Sequence, residues 1–244
     1  MIETEQLTKA FGDKVVVNAL NLSVARGEFF VFLGPNGAGK TTTIKMLAGL
    51  LLPTSGTIRI CGHDTQKDGV HAKAVLSYIP DQPYLYDKLS GREFLDFIAR
   101  VYGMGREQRA SAIGRLVEIF EMKDYVDELC QSYSHGMKQR VVIASALVHD
   151  PRVIVIDEPM VGLDPKSARL AKEIFRERAR QGVTLFMSTH TISLAEEVAD
   201  RVGIIQRGAM VAYGTPAEIR RAGHTDARLE DAFLRLTAEQ EQPK

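Results

Sequence analysis

Gly34-Pro35-Asn36-Gly37-Ala38-Gly39-Lys40-Thr41 sets three glycines ahead of a lysine and a hydroxyl. Those residue types at that spacing suit phosphate chemistry. Glycines let backbone N–H groups turn inward around anionic oxygens. A helix starting at the lysine aims the positive end of its dipole at the same anion. Lys40 adds a point charge on the outer phosphates, and the Thr41 hydroxyl can ligate a divalent cation. The stretch matches in full the nucleotide-binding pattern of Gly, four residues, then Gly-Lys-Thr. Gly34, Asn36, Gly37, Ala38, Gly39, Lys40, Thr41 and Thr42 are therefore the expected contacts of a nucleoside triphosphate, with Lys40 also assisting catalysis. The pattern alone does not choose among kinases, GTPases and ATPases.

A second acidic element follows. Arg152-Val153-Ile154-Val155-Ile156-Asp157-Glu158-Pro159 is an apolar strand ending in two carboxylates. Acids at the carboxyl ends of strands sit in the crevice where such sheets bind nucleotides. Asp157 is the expected magnesium residue. Glu158, one position further from the strand, is the expected general base for attacking water.

Between the two lies Ser134-His135-Gly136-Met137-Lys138-Gln139-Arg140. A helix opening at Ser134 would offer a hydroxyl, a close backbone approach at Gly136 and a positive end, which is a phosphate clamp. It resembles the signature motif of ABC ATPases, usually Leu-Ser-Gly-Gly-Gln. Tyr133 takes the Leu position, His135 the first Gly and Met137 the Gln, while Ser134 and Gly136 are kept. The resemblance runs from Leu7 to about Ile219. It implies that Ser134 and Gly136 act on ATP held by the opposite subunit. It identifies Gly162-Leu163-Asp164-Pro165 with the interface-crossing D-loop, and Asp164 with nucleotide contact. It makes His190 the switch histidine at the γ-phosphate, and Phe11 the aromatic that stacks on adenine. In the Q-loop, Tyr78-Ile79-Pro80-Asp81-Gln82-Pro83, the expected glutamine position holds Asp81, with Gln82 beside it. Asp81 is preferred by position as a third metal residue, and Gln82 stays open for the same role.

Further implications concern partners. Residues 84–99 should grip a membrane partner through Tyr84, Leu85, Tyr86, Leu89 and Phe94, or pack them within the helical lobe. The Ser-His-Gly-Met form resembles that of exporters of the ABC-2 type, whose membrane permease is a separate polypeptide. The expected assembly is a homodimer or heterodimer of ATPase subunits, peripheral on the cytoplasmic face of the cell membrane through that permease. The rival is a soluble ABC-type ATPase not coupled to transport. A P-loop kinase or GTPase is disfavoured by the lack of an Asn-Lys-x-Asp element.

These groups need a scaffold. Apolar runs at 29–33, 57–60, 75–79, 153–156 and 184–188 read as strands, and amphipathic stretches at 40–51 and 166–180 as helices. The alternation predicts an α/β fold with a P-loop NTPase core and a mostly parallel sheet. The turn at Phe11-Gly12-Asp13-Lys14 predicts an N-terminal antiparallel β part. Residues 91–129 show helical periodicity and predict a helical subdomain, about 88–149 with its flanks. The predicted ATPase domain spans 1–220, with a helical tail at 221–244 broken at Gly223.

Bulk properties narrow the classes further. Hydrophobic residues at 45% and charged residues at 25% fit a globular chain. Lys plus Arg and Asp plus Glu are both 31, so no broad pull toward nucleic acid is expected. Residues 1–5 carry neither a basic start nor an apolar leader, and no apolar run nears the roughly 18 residues of a membrane span. Cys61 and Cys130 fall in no metal spacing and read as reduced apolar fillers. His63, His71, His149 and His224 have no partner at metal spacing in the sequence and read as ordinary surface or cap residues.

Overall fold

The computed structural model describes residues 1–160, 163–223 and 228–238. His224, Val161, Gly162 and the polar stretch 239–244 lie outside them. The chain opens with strands β1 (Ile2–Phe11) and β2 (Lys14–Val24), joined at Gly12-Asp13 into an antiparallel hairpin. Gly12 has φ +57°, a conformation glycine adopts freely. Strand β3 (Phe29–Leu33) leads to helix α1 (Lys40–Leu47), and β4 (Ser55–Ile60) turns back into the short β5 (His63–Asp64). Helix α2 (Gly69–Ala74) and strand β6 (Leu76–Ile79) precede α3 (Gly91–Val101), α4 (Arg106–Ile119) and α5 (His135–Leu147). Then β7 (Val153–Asp157), α6 (Pro165–Arg180), β8 (Thr184–Thr189), α7 (Ile192–Val198), β9 (Arg201–Gln206) and β10 (Ala209–Gly214) alternate. Helices α8 (Pro216–Ala222) and α9 (Leu229–Ala238) complete the described chain.

Two sheets result. One is antiparallel, in the order β2-β1-β4-β5. The other runs β10-β9-β3-β8-β7-β6, with parallel pairing except for the antiparallel edge strand β10. The second sheet is covered on both faces, which is why its strands are continuous apolar runs. All five residues of β3 are buried. Phe29, Val31 and Leu33 point into a core shared with α3, α4, α5 and α6. Phe30 and Phe32 point the other way, into a core shared with α1 and the antiparallel sheet. The pleat thus divides one strand between two cores.

The helical region does not carry a core of its own. Leu95, Ile113, Leu116 and Ile143 belong to the same cluster as Ile154 and Ile156 of β7. The tail joins it too, with Ile219, Leu229 and Ala232 all fully buried or nearly so. Gly223 permits that return, because a Cβ there would lie 2.6 Å from Ala232 Cα.

One boundary differs from expectation. Helix α1 stops at Leu47 rather than continuing to Leu51. Gly49 adopts φ +65°, and the N–H groups of Leu50 and Leu51 both return to Lys45 O, at 2.8 and 3.1 Å. The glycine C-cap stops the helix before Pro53 is reached.

Candidate functional site

Strand β3 delivers the phosphate cradle to the carboxyl edge of the parallel sheet, beside β8 and β9. At Gly34 a Cβ would sit 2.4 Å from Ile205 O, so only glycine lets the chain leave the strand there. Gly39 holds φ +108° as the residue before α1, and a Cβ would meet Val16 O at 2.7 Å. The loop therefore wraps tightly, and Asn36, Gly37, Gly39, Lys40, Thr41 and Thr42 line a cavity of about 330 Å³. Lys40 is buried; its Nζ donates to Gly34 O at 2.7 Å and Pro35 O at 3.1 Å. Burial pushes the Lys40 ammonium below its ordinary pKa, against the raising pull of Glu158 and Asp157. A desolvated cation held this way is well placed for an anionic ligand.

Opposite the cradle, β7 presents Asp157 at its last position, wholly buried. Its Oδ1 accepts hydrogen bonds from Ser188 Oγ at 2.5 Å and Thr41 Oγ1 at 3.4 Å. Its Oδ2 is buried without a hydrogen-bond partner among the described residues. Burial pushes the Asp157 carboxyl up, the bonds from Ser188 and Thr41 oppose this, and the charges of Asp81 and Glu158 add to it. A buried, unsatisfied carboxylate oxygen beside a hydroxyl fits a hard divalent cation with oxygen ligands. The donor set therefore fits Mg2+. Asp81 and Gln82 both line the same cavity, so neither is set apart from the other by position.

Glu158 follows with φ +45°, a left-handed backbone that costs a non-glycine residue about 1–2 kcal/mol. That turn swings its side chain out of line with β7 and into the cavity. Glu158 Oε1 lies 2.9 Å from His190 Nδ1 and 3.8 Å from Lys40 Nζ. The side chain of Glu158 is mostly buried and that of His190 half-exposed, so the pair faces solvent from one side. A carboxylate there can take a proton from water and be steered by an imidazole.

Val16 of β2 also lines the cavity, and the sequence reading did not include it. Nor did it include Gly208, which donates from N to Ala38 O at 2.9 Å while a Cβ on it would strike Val16 O at 2.4 Å. No local pattern marks either residue, because their place depends on sheet pairing. Phe11 lies outside this cavity's lining. It is 52% exposed beside the hairpin turn, with Lys9 Nζ 5.0 Å from its ring centroid. That exposure keeps the ring out of the core and leaves it available.

Ser134, Gly136 and Asp164 form a second cluster, separate from the cavity lining. Ser134 caps α5, its side chain accepting from Met137 N at 3.3 Å. Asp164 caps α6 and accepts from Ser167 N at 3.0 Å and Ser167 Oγ at 2.6 Å. A Cβ on Gly136 would stand 3.3 Å from Asp164 Oδ2, so the two segments touch within one chain. From the same helix, Gln139 Nε2 donates to Pro159 O at 3.3 Å, one residue beyond Glu158. Of the D-loop, Leu163 to Pro165 are described and Gly162 is not.

Two expectations about histidines are corrected. His149 is half-buried rather than an ordinary surface residue: its ring stacks on Tyr102 with centroids 3.5 Å apart, and Ser77 Oγ is 3.5 Å from its Nε2. His63 and His71 do have partners, both facing the Asp68 carboxylate. A strand, a turn and a helix gather these three, and no single secondary-structure period reveals that.

Residues 17–161 match the family model described as ABC transporter. The chain belongs to the ABC transporter family. This ABC chain is 36% identical over 240 residues to the probable multidrug ABC transporter ATP-binding protein YbhF of Escherichia coli (strain K12). That match covers 97% of this chain and 41% of YbhF, so the chain spans less than half of that relative. It is 39% identical over 215 residues to Nod factor export ATP-binding protein I of Burkholderia orbicola (strain AU 1054), covering 88% of this chain and 71% of that protein. A solved ATP binding subunit of an ABC transporter superposes with a TM-score of 0.91 at 32% identity, over 97% of this chain and 99% of the other. The ATP-binding cassette MJ0796, solved as a dimer in a post-hydrolysis state with ADP and Pi, gives 0.77 at 25% identity, over 88% and 98%.

In this ABC chain the segment after the Q-loop is divided between surface and core. Leu85 and Phe94 are buried within the helical region, so they are not available for a partner. Tyr84 and Tyr86 are exposed and in ring contact, and Phe97, absent from the sequence reading of this surface, joins them. No helix among the described residues is long and apolar enough to cross a membrane.

Proposed function

We propose that the chain binds and hydrolyses ATP with Mg2+ and powers an exporter through a separate membrane-spanning permease. The observation that carries the reading is the convergence of Lys40, Asp157, Glu158 and His190 at the carboxyl ends of β3, β7 and β8. The cradle glycines, with Asn36, Ala38 and Thr42, hold the phosphates, and Phe11 stacks on the adenine. Thr41, Asp157 and either Asp81 or Gln82 would hold Mg2+. When bound, the ion screens charge on the phosphates. Lys40 orients the γ-phosphate. Glu158 takes a proton from the attacking water, and His190 holds that carboxylate in line. Most of the rate comes from positioning and charge stabilisation.

The second cluster completes the site in trans. Ser134, Gly136 and Asp164 face the ATP of the opposite subunit, in a homodimer or a heterodimer with a related chain. Closure and reopening of that pair move the helical regions and drive the permease. Tyr84 and Tyr86 supply the apolar contact to it. Residues 1–220 act as the ATPase domain, with the helical subdomain at about 88–149 and the tail from 221 onward. The chain works at the cytoplasmic face of the cell membrane, held there by the permease, with no nucleic-acid partner. Support comes from two relatives, one named as a probable multidrug ABC transporter ATP-binding protein and one as a Nod factor export ATP-binding protein.

Co-purification from detergent-solubilised native membranes tests the coupling. A multi-helix membrane protein that binds the chain and alters its ATPase rate is the expected result. An active ATPase that stays soluble, or arrives with ribosomes or DNA, removes the transport reading and leaves the chemistry intact.

A further inference from the structure

A third group of chemistry-bearing side chains lies at the edge of the antiparallel sheet, where β5 gives way to α2. His63 opens β5, Asp68 precedes α2, and His71 sits in the first turn of that helix. Asp68 Oδ2 is 2.6 Å from His63 Nδ1, and its Oδ1 is 2.5 Å from His71 Nδ1. The two imidazole rings stack, with centroids 5.6 Å apart and planes at 24°. One nitrogen from each histidine and one carboxylate oxygen all lie within 4.8 Å of one another.

A plain helix cap does not account for this. An aspartate at that position ordinarily accepts a hydrogen bond from the helix backbone. Among the described residues the Asp68 carboxylate accepts none from the backbone of α2 and instead faces both imidazoles. The loop that presents the three is held independently of them. Asp64 Oδ1 accepts from Gln66 N at 2.9 Å and Lys67 N at 3.0 Å, and Thr65 N donates to Ile58 O at 3.0 Å. Backbone bonds of this kind fix the donor residues before any ion arrives.

We propose that His63, Asp68 and His71 form a binding site for a divalent transition-metal ion of the zinc class. Two imidazole nitrogens and a carboxylate oxygen suit such an ion, with metal–ligand distances of about 2.0–2.2 Å. Donors no more than 4.8 Å apart reach a common centre after side-chain shifts on the order of 1 Å. Coordination through Nδ1 places each ring proton on Nε2. A ring that starts protonated on both nitrogens releases one proton to solvent. The side chains are 38%, 40% and 71% exposed for His63, Asp68 and His71, so water can fill the remaining positions. The oxygen-rich Mg2+ site at Asp157 favours a harder ion, so the two sites differ in preference. A bound ion would tie edge strand β5 to α2, which abuts the end of α1 through Lys73 and Gly49.

Calorimetric titration of Zn2+ into the full nucleotide-free chain, with Mg2+ in excess, tests this. One saturable equivalent is expected, with an anomalous peak at the zinc edge among the three side chains in a zinc-soaked crystal. His63→Gln and His71→Gln should each weaken binding about tenfold or more. Zinc should raise the melting temperature of the wild type and not of those variants. Their zinc-free melting should match the wild type, because both side chains are at least a third exposed. Absence of saturable binding, binding unchanged in both variants, or zinc only at Asp157 or Cys61 would overturn the assignment.

Discussion

Glu158 Oε1 and His190 Nδ1 stand 2.9 Å apart, although the residues come from the ends of different strands, β7 and β8. The same carboxylate oxygen is 3.8 Å from Lys40 Nζ, so an acid, an imidazole and an ammonium share one point. Replacing Glu158 with Gln keeps the shape and removes the proton acceptor. Turnover should fall about 10²–10⁴-fold, while nucleotide affinity stays near the wild-type value. Single-turnover hydrolysis beside equilibrium nucleotide binding separates the two. Near-normal turnover would remove Glu158 from the proposed base role.

Asp157 gives a prediction with opposite signs in two states. Its buried Oδ2 lacks a hydrogen-bond partner among the described residues and burial raises its pKa, so without a cation its charge is a net cost to folding. A folded-state pKa above the unfolded one costs stability as pH rises past the unfolded value. Asp157→Asn should therefore raise the melting temperature of the nucleotide-free protein at neutral pH. It should also abolish the stabilisation that Mg2+ and ATP give together. Thermal unfolding with and without the ligands measures both, and a lower nucleotide-free melting temperature would contradict the first.

His149 should make the protein acid-sensitive. Burial pushes its pKa from 6.5 down to about 4. Below 6.5 the unfolded chain takes up a proton that the folded chain refuses, so stability falls as pH drops from about 6.5 toward 4. The loss over that window is on the order of 3 kcal/mol. His149→Phe keeps a ring against Tyr102 and removes the titration. Urea midpoints at pH 7 and pH 5 should converge in the variant and differ in the wild type.

Tyr84 and Tyr86 test the docking surface from exposed positions, although the Tyr86 ring also meets the buried Phe94. Changing both to Ala should leave the ATPase rate of the isolated chain within about twofold, because exposed side chains contribute little to the fold. It should strip the membrane partner from the chain during co-purification. Leu85→Ala is the contrasting variant: as a buried residue it should cost about 2–5 kcal/mol of stability. Retention of the partner by the double variant would move the contact elsewhere.

Much of this molecule is decided by short stretches of sequence. Much of the cradle's shape is local, because the positive φ angles at Gly37 and Gly39 are conformations glycine adopts freely. The apolar strand ending in Asp157 and Glu158 is equally local, and so is the Ser134 cap that opens α5. The alternation of strand and helix likewise implies a parallel sheet, though not its strand order.

What tertiary structure alone decided is which distant residues meet. Strand order puts β8 between β3 and β7, and so brings His190 to Glu158 and Ser188 to Asp157. Sheet pairing sends Val16 and Gly208 under the cradle. Packing separated Leu85 and Phe94, drawn into the core, from Tyr84 and Tyr86 left outside. A turn folded His63 and His71 onto one carboxylate. Local sequence fixes backbone preference and periodicity within a few residues. Contacts between distant segments depend on the summed burial of whole faces, which no short stretch contains.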